Sequence, residues 1–170
     1  MAGLITEHRP MDITPKSDYF GPLTRSIISQ QVSVTAARTI FNRLVEGTLL
    51  NPQKIDDMEM EELKKFGLSR QKAGYIKDLA AHFVIDPDVF NHLEELEDEI
   101  VIKDLTTVKG IGPWTAQMFL MFTLARLDVF APADLGLQKA IRTNYSEQKM
   151  NKPIEFEEFA ERWRPYRTVA

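Results

Sequence analysis

Val108-Lys109-Gly110-Ile111-Gly112-Pro113-Trp114-Thr115-Ala116 reads as a glycine turn that opens a helix. Gly110 and Gly112 can take φ > 0 without a Cβ clash. Pro113 suits the first turn of a helix, where its missing N–H would be unpaired anyway. The N–H groups of Gly110, Gly112 and Trp114 are then free to meet a phosphate, aided by the helix dipole. Lys109 can add a charge contact. Downstream, Asp128-Val129-Phe130-Ala131-Pro132-Ala133-Asp134 places a carboxylate at the start of another helix. A positive local field keeps an aspartate there ionised. In a cleft, such a group can stabilise a cationic sugar in a dissociative transition state, or orient a water toward it. Both motifs also have a plainer use: the turn as a tight helix–helix connection, Asp134 as an N-cap.

Outward from this stretch, the chain reads as helices throughout. Ser17 is expected to cap a helix through Tyr19, Leu23, Ile27 and Ile28. Ser33 caps the next, with Ala37, Ile40 and Leu44 at helical spacing and Gly47 at its end. Met58 to Phe66 is a short helix closed by Gly67, and Ser69 starts one to about Val84. Further helices begin at Asp86-Pro87, at Asp98, at Pro113, at Asp134 and at Ile154. No segment alternates with period two and no hairpin signal occurs, so the class is all-α. Leu63 to Leu68 and Leu105 to Ile111 weakly echo each other as helix, glycine turn, helix.

The 170 residues make a single domain. With no cysteine, disulfides, thiolate zinc sites and cysteine-ligated iron–sulfur clusters are excluded. Met1 to Pro10 is polar and shows no leader, and no apolar run reaches the ~20 residues of a membrane span. The net charge of −4 alone argues against nucleic-acid binding. It is unevenly spread, with Lys64, Lys65, Arg70, Lys72 and Lys77 in one stretch and the acidic run Glu94 to Glu99 in the next. Solvated helix faces account for most of such charges. His8, His82 and His92 lack ligand spacing, and no P-loop, dinucleotide fingerprint or Gly-x-Ser-x-Gly elbow is present. Tyr19, Phe20, Trp114, Phe130, Trp163 and Tyr166 are the aromatic candidates for stacking on a base.

Lys109-Gly110-Ile111-Gly112-Pro113-Trp114-Thr115-Ala116-Gln117-Met118 resembles the hairpin of the helix-hairpin-helix DNA glycosylases, and Asp128 to Gly136 resembles the segment that bears their catalytic aspartate. Within that superfamily the likeness is to the alkylbase branch, that of 3-methyladenine DNA glycosylase II. Ser26-Ile27-Ile28-Ser29-Gln30-Gln31-Val32-Ser33 is similar to that branch's helix and wedge loop. Ala160 to Arg167 is similar to its C-terminal motif. The motifs stand in family order over about residues 18–170.

This resemblance implies a two-lobed helical bundle with a cleft between the lobes. Residues 30–125 would form the central lobe, and 1–29 with 126–170 the terminal one. It implies an enzyme that flips a damaged base out of duplex DNA and hydrolyses its N-glycosidic bond, with Asp134 as the catalytic carboxylate. Trp114 stands where bifunctional relatives carry a lysine, so no Schiff base and no strand cleavage are expected. Trp114, Phe20, Met118 and Leu135 are expected in the base pocket. Lys109, Gly110, Ile111, Gly112, Gln31 and Ser33 are expected to contact DNA, with Gln31 filling the gap left by the flipped base. No cofactor is expected beyond a structural Na+ or K+ near Gly110 and Gly112. The expected partner is double-stranded DNA containing a damaged base, met by a monomer, in the cytoplasm of a prokaryote or the nucleus of a eukaryote. Relatives continue past the Trp163 to Arg167 motif into a helix with another pocket aromatic, so a truncated form is expected. Two other readings stay open: a non-catalytic DNA-binding module, and a glycosylase for oxidised or mispaired bases.

Overall fold

Ser69 caps the helix around which the molecule is built. The structure, a computed structural model, describes residues 14–145 and 150–170. Met1 to Pro10 and His8 lie outside them. In chain order the helices are α1 (Phe20–Ser29), α2 (Val34–Thr48), α3 (Pro52–Asp57), α4 (Met60–Lys65), α5 (Arg70–Ile85), α6 (Pro87–Phe90), α7 (Asp98–Leu105), α8 (Pro113–Phe122), α9 (Leu135–Asn144) and α10 (Pro153–Ala160). Short 3-10 turns cover Leu93–Glu95 and Glu161–Trp163. No strand occurs among the described residues.

Ser33 and Ser69 cap as their sequence context predicts, their hydroxyls accepting from the Ala36 and Lys72 N–H groups at 3.2 Å each. Ser17 does not. The Asp18 carboxylate accepts the Gly21 N–H at 3.0 Å and α1 starts later. Ala73, Ile76, Leu79, Ala80 and Phe83 line the buried face of α5, which packs against α1, α3, α4 and α6. Lys77 on α5 donates to the Asp56 carbonyl and, at 2.6 Å, to that of Met58, at the C-terminal end of α3. A cation there meets the negative end of the helix dipole. Part of the basic run thus braces the fold.

Two apolar clusters form. The large one joins residues from Tyr19 to Ala131, and the small one gathers Phe130, Ile141, Met150, Phe156, Phe159 and Ala160 against Leu137 and Trp163. The expected lobe boundary is corrected at α1, which belongs to the large cluster because Phe20, Leu23, Ile27 and Ile28 are all buried there. The chain alternates between the two clusters over Val129, Phe130 and Ala131, just before Asp134. The acidic run is exposed at Glu94, Glu95, Glu97 and Glu99, as expected of a solvated face, while its backbone is tied to the core. Glu94 accepts from the Tyr19 hydroxyl, and Arg126 donates to the Glu94 and Leu96 carbonyls at 2.9 and 2.8 Å.

Asp128 ties the C-terminal residues to this junction. Its carboxylate meets Arg164 at 2.6 Å and Arg167 at 2.8 Å, and Arg167 also donates to the Asp128 carbonyl at 2.7 Å. Thr168 adds bonds to Arg126 and Val129. Burial pushes the Asp128 carboxyl up, but the Arg167 hydrogen bonds outweigh it and hold the group below the usual aspartate range. Arg167→Met is expected to destabilise the protein by about 1.5–3 kcal/mol, the usual worth of hydrogen bonds to a charged group. Because the native pKa is lowered, this stabilisation is full above the unfolded aspartate value of about 3.9 and is lost as pH falls through the native one. Urea unfolding at neutral and acidic pH should therefore show the gap between variant and wild type closing in acid.

Candidate active site

The hairpin between α7 and α8 is anchored by its apolar residues. Val108 and Ile111 are buried in the large cluster, and the Ile111 N–H donates to the Val108 carbonyl at 3.1 Å. Ile111 anchors the hairpin, with its side chain and N–H both used internally. Only one of the two glycines needs a left-handed backbone. Gly110 has φ +87°, and a Cβ on it would fall inside the Tyr75 ring. Gly112 is extended at φ −100°, ψ 174°, with open space around it. Lys109 is tied down too. Its N–H and ammonium both donate to Asp78, at 2.9 and 2.8 Å. Burial raises the Asp78 pKa, yet the bonds from Lys109 hold it below its ordinary value. Among the described residues, the N–H groups of Gly110, Gly112 and Trp114 have no acceptor, and they cluster at the α8 N-terminus.

Asp134 caps α9. One carboxylate oxygen accepts the Leu137 N–H at 2.8 Å, and the other accepts the Trp114 indole N–H at 2.7 Å. The two motifs that stand apart in sequence thus meet through a single hydrogen bond. The Leu137 N–H is the main reason that the Asp134 pKa lies below the ordinary aspartate value. Burial opposes it, and the Trp114 indole and the Gly136 N–H reinforce it. The capping reading of Asp134 holds, and the second oxygen, not needed for the cap, faces Trp114. The turn before it is pinned by two further bonds: Asp134 N–H to the Ala131 carbonyl at 3.0 Å, and the buried Gln138 amide to the Pro132 carbonyl at 2.7 Å. Gln138 was not identified from sequence, although a glutamine one turn after Asp134 on a buried face is a detectable signal.

Trp114 is 47% exposed and Leu135 79%, so both can meet a ligand beside Asp134. Met118, one turn after Trp114, lines an open cavity of about 250 Å³ between α1 and α8, with Thr115, Phe122, Pro22, Arg25 and Ser26. Phe20 is corrected. It is buried and packs edge-on against Phe83 at 5.2 Å, and the opposite, polar face of α1 borders the cavity instead. Other stacking candidates serve the cores as well. Tyr19 is buried with its hydroxyl on Glu94, while Phe130 and Trp163 pack in the small cluster. Gln31 is exposed at φ +55° just beyond α1. Ser33, beside it, is exposed, with its oxygen capping α2. His82 and His92 bond backbone carbonyls one turn back in their own segments.

Residues 24–165 match a family described as HhH-GPD superfamily base excision DNA repair protein. A DNA-3-methyladenine glycosylase of Saccharomyces cerevisiae is 40% identical over 145 residues, covering 77% of this chain and 48% of that protein. The chain therefore spans about half the length of that relative. In three dimensions, the crystal structure of a DNA-3-methyladenine glycosidase from Bacillus halodurans superposes with TM-score 0.84 at 35% identity, over 99% of this chain and 79% of that one. The 3-methyladenine DNA glycosylase of Schizosaccharomyces pombe, solved with abasic DNA, superposes with TM-score 0.77 at 29% identity, over 98% and 84%.

Proposed function

Since the chain belongs to the HhH-GPD superfamily of base excision DNA repair proteins, we propose that it is a monofunctional DNA glycosylase that removes alkylated purines, such as 3-methyladenine or 7-methylguanine, from duplex DNA. The observation that carries this reading is the 2.7 Å hydrogen bond from Trp114 to Asp134, which sets an ionised carboxylate one residue from the free N–H groups of the hairpin helix. Those N–H groups grip a backbone phosphate. The flipped base is received next to Asp134, against the exposed faces of Trp114 and Leu135, with the cavity that Met118 lines one turn further along α8. Alkylation at N3 or N7 makes the base cationic, and an indole face favours a cation by roughly 0.5–2 kcal/mol. The bond from C1′ to the base nitrogen breaks, its electron pair leaves with the base, and the base departs neutral. No acid is needed for that departure. Asp134 stabilises the positive sugar and orients a water, whose oxygen bonds to C1′ and whose proton passes through the carboxylate to solvent. With Trp114 at the hairpin rather than an amine, no Schiff base forms and the strand stays intact.

We propose a structural Na+ or K+ at the turn, near Gly110 and Gly112. The Gly110 carbonyl spends one lone pair on the Gln30 amide and keeps the other, a hard oxygen donor suited to such a cation. The ion would add positive charge where the phosphate docks. We read the protein as a monomer working in the compartment that holds DNA, cytoplasm or nucleus. No helix among the described residues is long and apolar enough to cross a membrane.

Mass spectrometry of the bases released from methylated, deaminated and oxidised DNA tests the reading. Methylated purines are expected. Release of oxidised or mispaired bases alone, or salt-sensitive duplex binding with no base released, would overturn it. A second expectation concerns pH. Activity requires ionised Asp134 and falls as pH drops through its pKa. Trp114→Phe removes one donor to the charged form and raises that pKa. The acid limb of the kcat profile should therefore move to higher pH, and an unmoved limb would show that the indole N–H does not tune the carboxylate.

A further inference from the structure

Lys72 does no work in the scheme above, yet it is held more closely than any other cation near the site. It lies on α5, one turn past the Ser69 cap. Its ammonium donates to the Ile28 carbonyl at 2.6 Å and to the Gln30 carbonyl at 2.5 Å, at the C-terminal end of α1. Burial lowers its pKa from the ordinary lysine value. A partly dehydrated ammonium between two carbonyls is a strong, directional tether. Gln30 in turn sends its side-chain amide to the Gly110 carbonyl at 2.8 Å. The next residue, Gln31, is exposed at φ +55°, a conformation that costs a non-glycine residue roughly 1–2 kcal/mol. Such a cost is sustained only where the surroundings over-determine the backbone. Here two tethers converge on the residue before it: Lys72 fixes the Gln30 carbonyl, and the Gln30 side-chain amide binds the hairpin.

The geometry points to Lys72 and Gln30 as a latch that joins the wedge loop to the phosphate-gripping hairpin and presents Gln31 ready to enter the duplex. This rests on the glycosylase reading for Gln31's role in filling the gap, and Lys72 acts through the loop as a positioning residue. When the hairpin seats on a phosphate, the Gly110–Gln30 bond sets the depth of Gln31 relative to that phosphate. A loose loop would leave the gap open to refilling by the base. An error of about 1 Å in such placement costs up to about 10²-fold in rate.

The test is a duplex with a tetrahydrofuran abasic analogue opposite 2-aminopurine, whose emission rises when a side chain unstacks it. Wild type should raise the emission. Lys72→Met should lose that rise at saturating protein, and lose at least about tenfold in base release from methylated duplex. Lys72→Arg, able to reach both carbonyls, should restore the rise. Lys72→Met combined with Gln31→Ala should be no worse than Gln31→Ala alone, since residues acting as one unit do not add. Full emission in Lys72→Met, or losses that multiply in the double variant, would overturn the latch. Should Lys72→Met fail to fold, Gln30→Ala must lose the rise instead, and a full rise there overturns it. An emission rise in wild type without any base release would reject the glycosylase reading and leave the latch standing. No rise in wild type at saturation would reject the latch.

Discussion

Asp134→Asn is expected to bind damaged duplex DNA like wild type and to release base at least about 10²–10³-fold more slowly, the loss seen when a preorganised electrostatic group is removed from a reacting centre. The substitution isolates charge from structure. Asparagine is as good an N-cap as aspartate, so the bond to the Leu137 N–H and the start of α9 should survive. What disappears is the negative charge opposite the sugar and the acceptor for the Trp114 indole. Single-turnover release from methylated duplex, with melting temperature as the control, makes the measurement. A rate near that of wild type would remove Asp134 from the chemistry, whatever its place in the fold.

The second large effect separates two glycines that a motif treats alike. Gly110→Ala must hold an alanine at φ +87°, costing about 1–2 kcal/mol, and must push its methyl into the Tyr75 ring, where overpacking adds about 1–3 kcal/mol. At roughly 2–4 °C per kcal/mol for a chain of this size, the melting temperature should fall by about 5–15 °C. Duplex affinity should fall with it, because the displaced turn carries the phosphate-binding N–H groups. Gly112→Ala meets nothing within 4 Å on an extended backbone, so its cost should stay within about 1 kcal/mol. Equal melting temperatures for the two variants would contradict the turn geometry.

The glycine pair also shows what could be read beforehand. Helix class, the Ser33, Ser69 and Asp134 caps, and the Pro113 start were all legible, because each depends on residues within one turn of one another. Which glycine needed the left-handed backbone was not, since Tyr75 approaches from another helix. Lys72, Gln138 and Arg167 escaped for the same reason: their partners are mostly backbone carbonyls or a carboxylate supplied by chain folding. A carbonyl leaves no mark on sequence. Lys109 looked like a free charge because Asp78 is 31 residues away. Phe20 shows that aromatic identity alone does not mark a pocket residue, since its position on the apolar side of α1 buries it against Phe83. The allocation of α1 to the large cluster likewise follows from contacts that chain order does not reveal.

The Trp114–Asp134 bond has an optical consequence. The chain holds only two tryptophans, and Trp163 sits in the small cluster. Replacing Trp163 with phenylalanine leaves one indole, in the helix of the large cluster, whose nitrogen is bonded to a carboxylate that caps the helix packed in the small one. Its emission therefore reads out whether the two halves of the molecule are docked, without any dye. Titrating that variant with undamaged and damaged duplexes would reveal whether DNA draws the halves apart or closes them.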